Sequence, residues 1–262
     1  MNCYTMMALS AVAGAGAQYV LSSYLLPNRS RVYTWIFAFR NHKKLGEPCK
    51  TDLILDRDGY SLGYSYEKKS ALWVSYIISK NSIGVNVERG DKFYPDPDIP
   101  IEYRVNPDDY RNTGYDKGHL APNSAIDFSR KSNDQTFAMS NIALQDPKLN
   151  RQVWKSLEGL IEGWTRAKGK LYIVTGPIYS KRPEKVNGLP LPKSFYKVIY
   201  SFQFQHCIGF IFPNKEISAN DLWKYAMSVS DVEKETGYHF LSRIKTSKIK
   251  NQLDIDWWKD HH

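Results

Sequence analysis

A long helical pattern between a start signal and a stop signal constrains the fold of this chain more than any other feature. Asp146 is a suitable N-cap, Pro147 suits the first helical turn, and Gly169 is a typical helix end. Between these signals, apolar residues recur with a helical period: Leu149, Val153, Trp154, Leu157, Leu160, Ile161 and Trp164. The pattern predicts one long helix that ends at Gly169.

The segments on both sides of this helix have the patterns of β-strands. Residues 52–56 and 60–66, joined by the turn Asp58-Gly59, predict a β-hairpin. Further strands are predicted at 72–78, 83–87, 171–175, 196–204 and 207–212, and further helices at 219–228 and 232–236. The mixture predicts an α+β fold with a single domain over residues 51–245.

The two ends of the chain differ from this domain. The first 28 residues carry no charged side chain, and Ala-x-Ala patterns at 11–17 are typical of a cleaved secretory signal, although a basic n-region is missing. The apolar run at 5–26 also suits a membrane anchor, and a buried Ala-rich helix is the third interpretation. We expect residues 1–28 to be a signal or membrane-anchor segment, 29–50 a basic linker and 246–262 a C-terminal tail.

Composition limits the classes of function. Lys and Arg outnumber Asp and Glu by 36 to 27, a formal net charge of +9, which suits a polyanionic partner because neutralised phosphates release counterions. A basic protein without such a partner is the alternative. Cys3, Cys49 and Cys207 show no C-x-x-C spacing, which excludes a disulfide-dense scaffold and leaves open whether Cys49 and Cys207 pair.

Three motifs carry residues suited to phosphodiester hydrolysis: 115–122, 140–145 and 149–158. This reaction needs an activated water and neutralised phosphoryl oxygens. His119 can accept a proton at neutral pH because the unperturbed pKa of histidine is ~6.5. The amide oxygen of Asn150 is a suitable hard ligand for Mg²⁺, and Glu158 follows two helical turns later. Singly, each residue also has an ordinary structural interpretation, as a structural histidine, a helix cap or a solvated carboxylate.

Together, the three motifs resemble the DNA/RNA non-specific endonuclease family, which includes the secreted Serratia-type nuclease and mitochondrial endonuclease G. The family usually carries Asp-Arg-Gly-His, Ser-Asn-x-x-x-Gln and Leu-Asn-x-x-x-Trp-x-x-Leu-Glu, and this chain has the corresponding residues at 116–119, 140–145 and 149–158. Flanking matches at 72–76, 109–110, 175–179, 195–198 and 236–237 extend the resemblance over roughly residues 50–245.

The resemblance implies the ββα-metal (His-Me finger) fold, with a mostly antiparallel central sheet flanked by helices. It implies sequence-non-specific hydrolysis of DNA and RNA that leaves 5′-phosphate ends. His119 would be the general base, and Asn150 would be the one direct protein ligand of Mg²⁺, or of Mn²⁺ in its place, which would stabilise the phosphorane and the leaving 3′-oxygen. Glu158 would orient water on the metal. Asn141 would hold the site together, with phosphate contact as a further role, and Gln145 is a weaker candidate.

Three positions depart from the family pattern. Lys117 replaces the usual Arg before Gly-His, and we expect activity to be retained because the phosphate still meets a cation. Ile77 and Glu162 occupy positions where the family has or often has Arg. Other cations would then have to bind the phosphate, and the candidates are Lys117, Lys148, Arg151, Lys155, Arg130 and Lys131.

The sequence leaves three rival interpretations open: a non-catalytic nucleic-acid-binding protein, a sequence-selective HNH-type nuclease, and a membrane protein with an incidental soluble domain. The N-terminal pattern favours a secreted, extracytoplasmic or membrane-anchored protein, with mitochondrial localisation as the alternative. Two further partners are expected: a membrane, contacted through residues 5–26, and a second copy of the chain in a homodimer.

Overall fold

The computed structural model describes residues 42–83, 90, 92–244 and 247–260. The predicted leader or anchor at 1–28 and most of the predicted strand at 83–87 lie outside these residues. Among the helices of the described ranges, none combines the length and the apolar character that crossing a membrane requires.

Eleven strands are present in the described residues: β1 Leu53–Asp56, β2 Ser61–Ser65, β3 Ser70–Ile78, β4 Asp116–His119, β5 Ile142–Gln145, β6 Leu171–Ile178, β7 Lys185–Val186, β8 Leu189–Pro190, β9 Ser194–Ser201, β10 Cys207–Pro213 and β11 Ala226–Met227. Seven of them form one antiparallel sheet in the order β1-β2-β3-β6-β9-β10-β11. The predicted hairpin is confirmed as β1 and β2. Every residue of β6 and β9 is buried, because other elements cover both faces of the sheet centre.

The α-helices of the described residues are α1 Arg130–Gln135, α2 Pro147–Leu149, α3 Lys155–Lys168, α4 Val229–Thr236 and α5 Ile255–Lys259. A π-helical turn, Asn150–Trp154, joins α2 to α3. Asp146 caps the start by accepting hydrogen bonds from the backbone N–H of Lys148 and Leu149, and α3 ends at Gly169. Both predicted helix ends are therefore confirmed, whereas the wider π-helical turn was not predicted.

Two apolar cores lie on opposite faces of the sheet. In the first, Leu157 and Ile161 of α3 pack with Tyr76 of β3. In the second, Trp73 of the same strand packs with Val232 of α4. Because side chains alternate along a strand, β3 supplies both cores, and the face of the first core carries α3.

Both predicted flanking segments belong to the packed domain where the structure describes them. Leu45 is buried in the second core, and the carbonyl of Pro48 accepts a hydrogen bond from the backbone N–H of His239, so residues 42–50 do not form a linker. In the C-terminal segment, Trp258 is fully buried in the first core with its ring 4.7 Å from that of Trp164. Apolar burial of this size favours docking over a free tail.

Two further predictions need correction. The predicted helix at 219–228 is a 3₁₀ helix, Ala219–Tyr225, followed by β11, since Ala226 and Met227 pair with β10 and form the edge of the sheet. The predicted strand at 196–204 ends at Ser201, because the chain turns back there with Gln205 at a positive φ of 56°. The thiols of Cys49 and Cys207 are both free, so that disulfide is not formed.

Candidate active site

The first two motifs form a two-stranded antiparallel ladder. Strand β4 pairs with β5 in a register that sets Asp116 opposite Gln145 and His119 opposite Ile142. Asp146 follows β5 directly and caps α2, so the third motif begins where the second ends. Two strands and the helix after them therefore bring residues 116–119, 140–145 and 149–158 into one unit.

Gly118 allows the two strands of this ladder to carry a buried amide. A Cβ atom at position 118 would lie 2.6 Å from the Cβ of Gln145, a distance that real Cβ atoms do not adopt. Gln145 is buried, and neither atom of its side-chain amide has a hydrogen-bond partner among the described residues. Leaving such a group unsatisfied costs ~1–3 kcal/mol, so Gln145 has polar capacity to offer a ligand.

His119 ends β4 half-buried between two aromatic rings. Its ring centroid lies 5.4 Å from that of Phe93 and 5.1 Å from that of Phe137, which it meets edge-on. Lys117 approaches the same aromatic surface, with Nζ 5.5 Å from the ring centroid of Phe93 and 5.9 Å from that of Tyr110. These contacts restrict the imidazole and keep a cation on the same side of the strand as the histidine.

Asn141 is completely enclosed beneath the chain that follows His119. Its Oδ1 accepts a hydrogen bond from the backbone N–H of Ala121 at 2.9 Å, and its Nδ2 donates to the carbonyls of Ala121 and Thr136, each at 2.9 Å. Its own carbonyl accepts from the backbone N–H of Leu120 at 3.0 Å. This geometry fits a positioning role and does not fit contact with a phosphate.

Asn150 is the first residue of the π-helical turn, and its side chain is held by Asp116. Nδ2 of Asn150 donates to Oδ2 of Asp116 at 2.9 Å, which directs the amide nitrogen to the carboxylate and leaves the amide oxygen for a cation. Arg151 also binds this carboxylate, through Nε at 2.9 Å and Nη2 at 2.6 Å. Sequence reasoning gave Asp116 no role, although its first position in the Asp-Lys-Gly-His motif was an available signal.

Glu158 lies on α3 with its carboxylate against a buried lysine. Its side chain is 20% exposed, and Oε1 lies 3.4 Å from Nζ of Lys197, whose side chain is 0% exposed. Burial raises the pKa of Glu158 while the charge of Lys197 opposes the rise, and burial lowers the pKa of Lys197 while Glu158 opposes the fall. Sequence reasoning missed Lys197. The available signal was a charged residue inside the predicted strand at 196–204.

The remaining predicted cations lie on the surface. Lys155 is exposed on α3, and Lys148 on α2 is exposed with Nζ 2.5 Å from Glu216. On α1, Arg130 pairs with Asp134, and Lys131 pairs with Asp58. Arg151 differs from these residues because it contacts Asp116, a residue of the first motif.

The two positions without the family's arginine have different surroundings. Ile77 packs with the second core, on the face of the sheet away from α3, so a long side chain at position 77 would leave the sheet on the wrong side for Glu158. Glu162 lies on α3 one turn after Glu158 and pairs with Arg166 at 3.8 Å. Its negative charge contributes to the raised pKa of Glu158.

The donor atoms at this site suit a hydrated divalent cation. The described residues contain no group of three or more His, Cys, Asp or Glu side chains that could enclose a metal. The amide oxygen of Asn150 and the carboxylate of Glu158 are hard oxygen donors, which Mg²⁺ prefers while keeping several of its waters. The residues present therefore fit a cation that takes few protein ligands.

Comparison with known proteins identifies the family. Residues 41–247 match the family model described as DNA/RNA non-specific endonuclease. A nuclease of Nostoc sp. is 32% identical over 216 residues, covering 77% of this chain and 78% of the relative. Nuclease C1 of Cunninghamella echinulata is 31% identical, covering 79% of this chain and 89% of the relative. Human mitochondrial endonuclease G is 28% identical, covering 72% and 69%.

A solved structure gives the same result for the fold. A chain in the crystal structure of an EndoG/EndoGI complex matches with a TM-score of 0.71 and 27% identity, over 78% of this chain and 91% of that chain. The α+β, ββα-metal fold is thereby confirmed, with its antiparallel sheet and flanking helices. The family depends on a divalent metal. The chain belongs to the DNA/RNA non-specific endonuclease family and is an endonuclease.

Proposed function

We propose that this endonuclease hydrolyses both DNA and RNA without sequence preference, depends on Mg²⁺ and leaves 5′-phosphate ends. One observation carries the proposal: Asp116 and His119 lie on one four-residue strand, and Asp116 binds Asn150. This contact joins the two elements that carry the candidate base and the candidate metal ligand, 31 positions apart in sequence, and it supports a shared site.

His119 is the proposed general base. Its imidazole is half-buried, and the rings of Phe93 and Phe137 restrict its orientation, so it can accept the proton of an attacking water from a fixed direction. A positioned base of this kind contributes typically ~10²–10⁴-fold to a rate. Asn141 supports this role by fixing the backbone at Leu120 and Ala121, directly after the histidine.

Asn150 is the proposed direct protein ligand of Mg²⁺, with Mn²⁺ as a substitute. Its hydrogen bond to Asp116 leaves the amide oxygen, the harder donor, for the cation. When bound, Mg²⁺ would neutralise charge on the phosphoryl oxygens and on the leaving 3′-oxygen. Glu158 is proposed to orient water around the cation.

Lys117 and Arg151 are the proposed phosphate contacts nearest to these groups, with Lys148 and Lys155 as outer contacts on the same helical segment. Lys117 lies two residues before His119 on the side of Phe93, and Arg151 adjoins Asn150. The net charge of +9 provides the long-range attraction that a polyanion requires.

The compartment and the partners beyond nucleic acid are also proposals. Human endonuclease G is mitochondrial by name, which supports mitochondrial localisation over secretion for this chain. Residues 5–26, proposed as a membrane contact, lie outside the described residues. A homodimer stays a prediction, and the molar mass of the full-length protein in solution would test it.

Incubation of the full-length protein with supercoiled plasmid and with RNA tests the proposed substrates. We expect cleavage of both with Mg²⁺, a continuous distribution of product lengths, no cleavage with EDTA, and ends that accept label from a kinase only after phosphatase treatment. Salt-dependent binding without cleavage would indicate the non-catalytic interpretation. Discrete fragments would indicate a sequence-selective nuclease.

A further inference from the structure

Lys197 is a fully buried lysine in the sheet beside the candidate active site. It lies in β9, between β6 and β10, where it pairs with Thr175 on one side and Phe210 on the other. Two flanking strands fix its backbone. A buried ammonium is unfavourable unless it is paired, so the groups that pair with Lys197 indicate what this residue does.

The two partners of this ammonium both lie in the third motif. Nζ of Lys197 is 3.4 Å from Oε1 of Glu158 and 4.1 Å from the ring centroid of Trp154. Trp154 is buried one helical turn before Glu158, and its indole face stabilises the cation. Lys197 therefore contacts the helix at the two positions that follow Asn150 at i+4 and i+8.

The direction of this contact determines what Glu158 can do. Lys197 approaches from the core and meets Oε1, while a fifth of the Glu158 side chain stays exposed. One oxygen is thereby held toward the sheet, and the carboxylate cannot turn freely. The opposing effects of the pair on each other's pKa agree with this close contact.

We propose that Lys197 is a positioning residue that holds the carboxylate of Glu158 toward the cation site by binding Oε1 from the core side. The inference rests on the proposed role of Glu158 and assigns to β9 a part in it. Without the ammonium, Glu158 loses its inward partner and with it the fixed orientation that water around a cation requires. Loss of such a supporting group typically weakens metal binding ~10–100-fold.

Mn²⁺ binding, measured by electron paramagnetic resonance without nucleic acid, tests this inference in the full-length protein. We expect K197M and E158Q each to weaken Mn²⁺ binding ~10–100-fold, and K197M/E158Q to bind no more weakly than E158Q. The double variant carries neither charge of the pair. Comparing it with E158Q tests the role of Lys197 without requiring K197M alone to fold. Cleavage rates of the same variants at saturating Mn²⁺ provide a second set of measurements.

Lys168 offers a matched control because it is a second buried lysine, ten residues after Glu158 on the same helix. Its Nζ donates to the carbonyl of Trp257 at 2.8 Å and lies 3.6 Å from the ring centroid of that residue. We expect K168M to lower the urea midpoint of unfolding and to leave Mn²⁺ affinity unchanged. A general effect of losing a buried lysine would instead weaken Mn²⁺ binding in both variants and would overturn the inference.

The outcomes separate the inference from the proposed function. If K197M weakens Mn²⁺ binding further in the E158Q background, Lys197 does not act through Glu158, and the inference alone is overturned. Unchanged Mn²⁺ affinity in K197M has the same consequence. If E158Q changes neither Mn²⁺ affinity nor cleavage, the proposed role of Glu158 fails and the inference fails with it.

Discussion

The side chain of Asn150 donates a hydrogen bond of 2.9 Å to the carboxylate of Asp116, across 34 positions of sequence. This contact joins strand β4 to the π-helical turn, and β4 also carries His119. The carboxylate binds the amide nitrogen of Asn150 and leaves the amide oxygen for the proposed cation. Asp116 is therefore the residue through which the strand and the helix are aligned.

Asp116→Ala should weaken the response to Mg²⁺ because the amide of Asn150 would lose the partner that orients it. A lost supporting contact of a metal ligand typically costs ~10–100-fold in affinity or activity. The measurement is the initial rate of plasmid cleavage as a function of Mg²⁺ concentration. Asp108→Ala is the control, since Asp108 forms an exposed pair with Arg111. An unchanged Mg²⁺ dependence in Asp116→Ala would show that Asn150 is oriented by other contacts.

Asn141→Ala should destabilise the fold, because it removes three buried hydrogen bonds and leaves polar groups of Ala121 and Thr136 without partners. We expect a loss of about 2–5 kcal/mol in the free energy of unfolding, measured with urea. Asn220→Ala changes an exposed amide and should stay within ~0.5 kcal/mol of wild type. Equal unfolding curves for the two variants would contradict the positioning role of Asn141.

Stability should fall in mild acid because of His42. Burial lowers the pKa of His42 from 6.5 to about 4. Between these two pH values His42 is therefore protonated in the unfolded chain and neutral in the folded chain. The contribution of the neutral His42 to the free energy of unfolding is complete above pH 6.5. As the pH falls toward 4, the free energy of unfolding decreases by about 3 kcal/mol at most.

Urea unfolding of His42→Gln at pH 7 and at pH 4.5 tests this contribution. The variant should lose less stability between the two pH values than wild type does. Asn220→Ala changes an exposed, non-titrating side chain and should keep the wild-type pH dependence. A His42→Gln profile parallel to that of wild type would mean that His42 titrates alike in both states.

Trp258→Ala should destabilise the domain although the residue is close to the C-terminus. The Trp258 side chain is fully buried against Trp164, and removing a buried tryptophan costs typically ~3–5 kcal/mol. Thermal unfolding measures the effect, with Leu253→Ala as the control because Leu253 is 39% exposed. Comparable melting temperatures for Trp258→Ala and wild type would indicate that the C-terminal segment folds independently of the core.

Local signals in the sequence were sufficient for the elements that carry the site. Asp146 and Gly169 mark the ends of the long helix because caps act within a few residues. The hairpin of β1 and β2 has a turn at Asp58-Gly59, and it could be predicted for the same reason. Motif resemblance then predicted that His119, Asn150 and Glu158 belong to one site.

Features that depend on distant contacts could not be predicted in this way. The pairing of Lys197 with Glu158 requires that α3 lies over β9, and neither segment alone specifies that arrangement. Leu45 and Phe240 are far apart in sequence but share the second core, which explains why residues 42–50 resembled a linker. That segment is rich in basic residues, so its sequence gives little indication of the few apolar side chains that pack into the core.

Cleavage by His119→Ala tests the central claim most directly. Full-length wild type and variant are compared on supercoiled plasmid and on RNA at saturating Mg²⁺, with His239→Ala as the exposed-histidine control. Wild type and His239→Ala should cut both substrates, and His119→Ala should be slower by ~10²–10⁴-fold while binding Mn²⁺ and unfolding in urea as wild type does. Undiminished cleavage by His119→Ala, or no cleavage by wild type, would contradict the account.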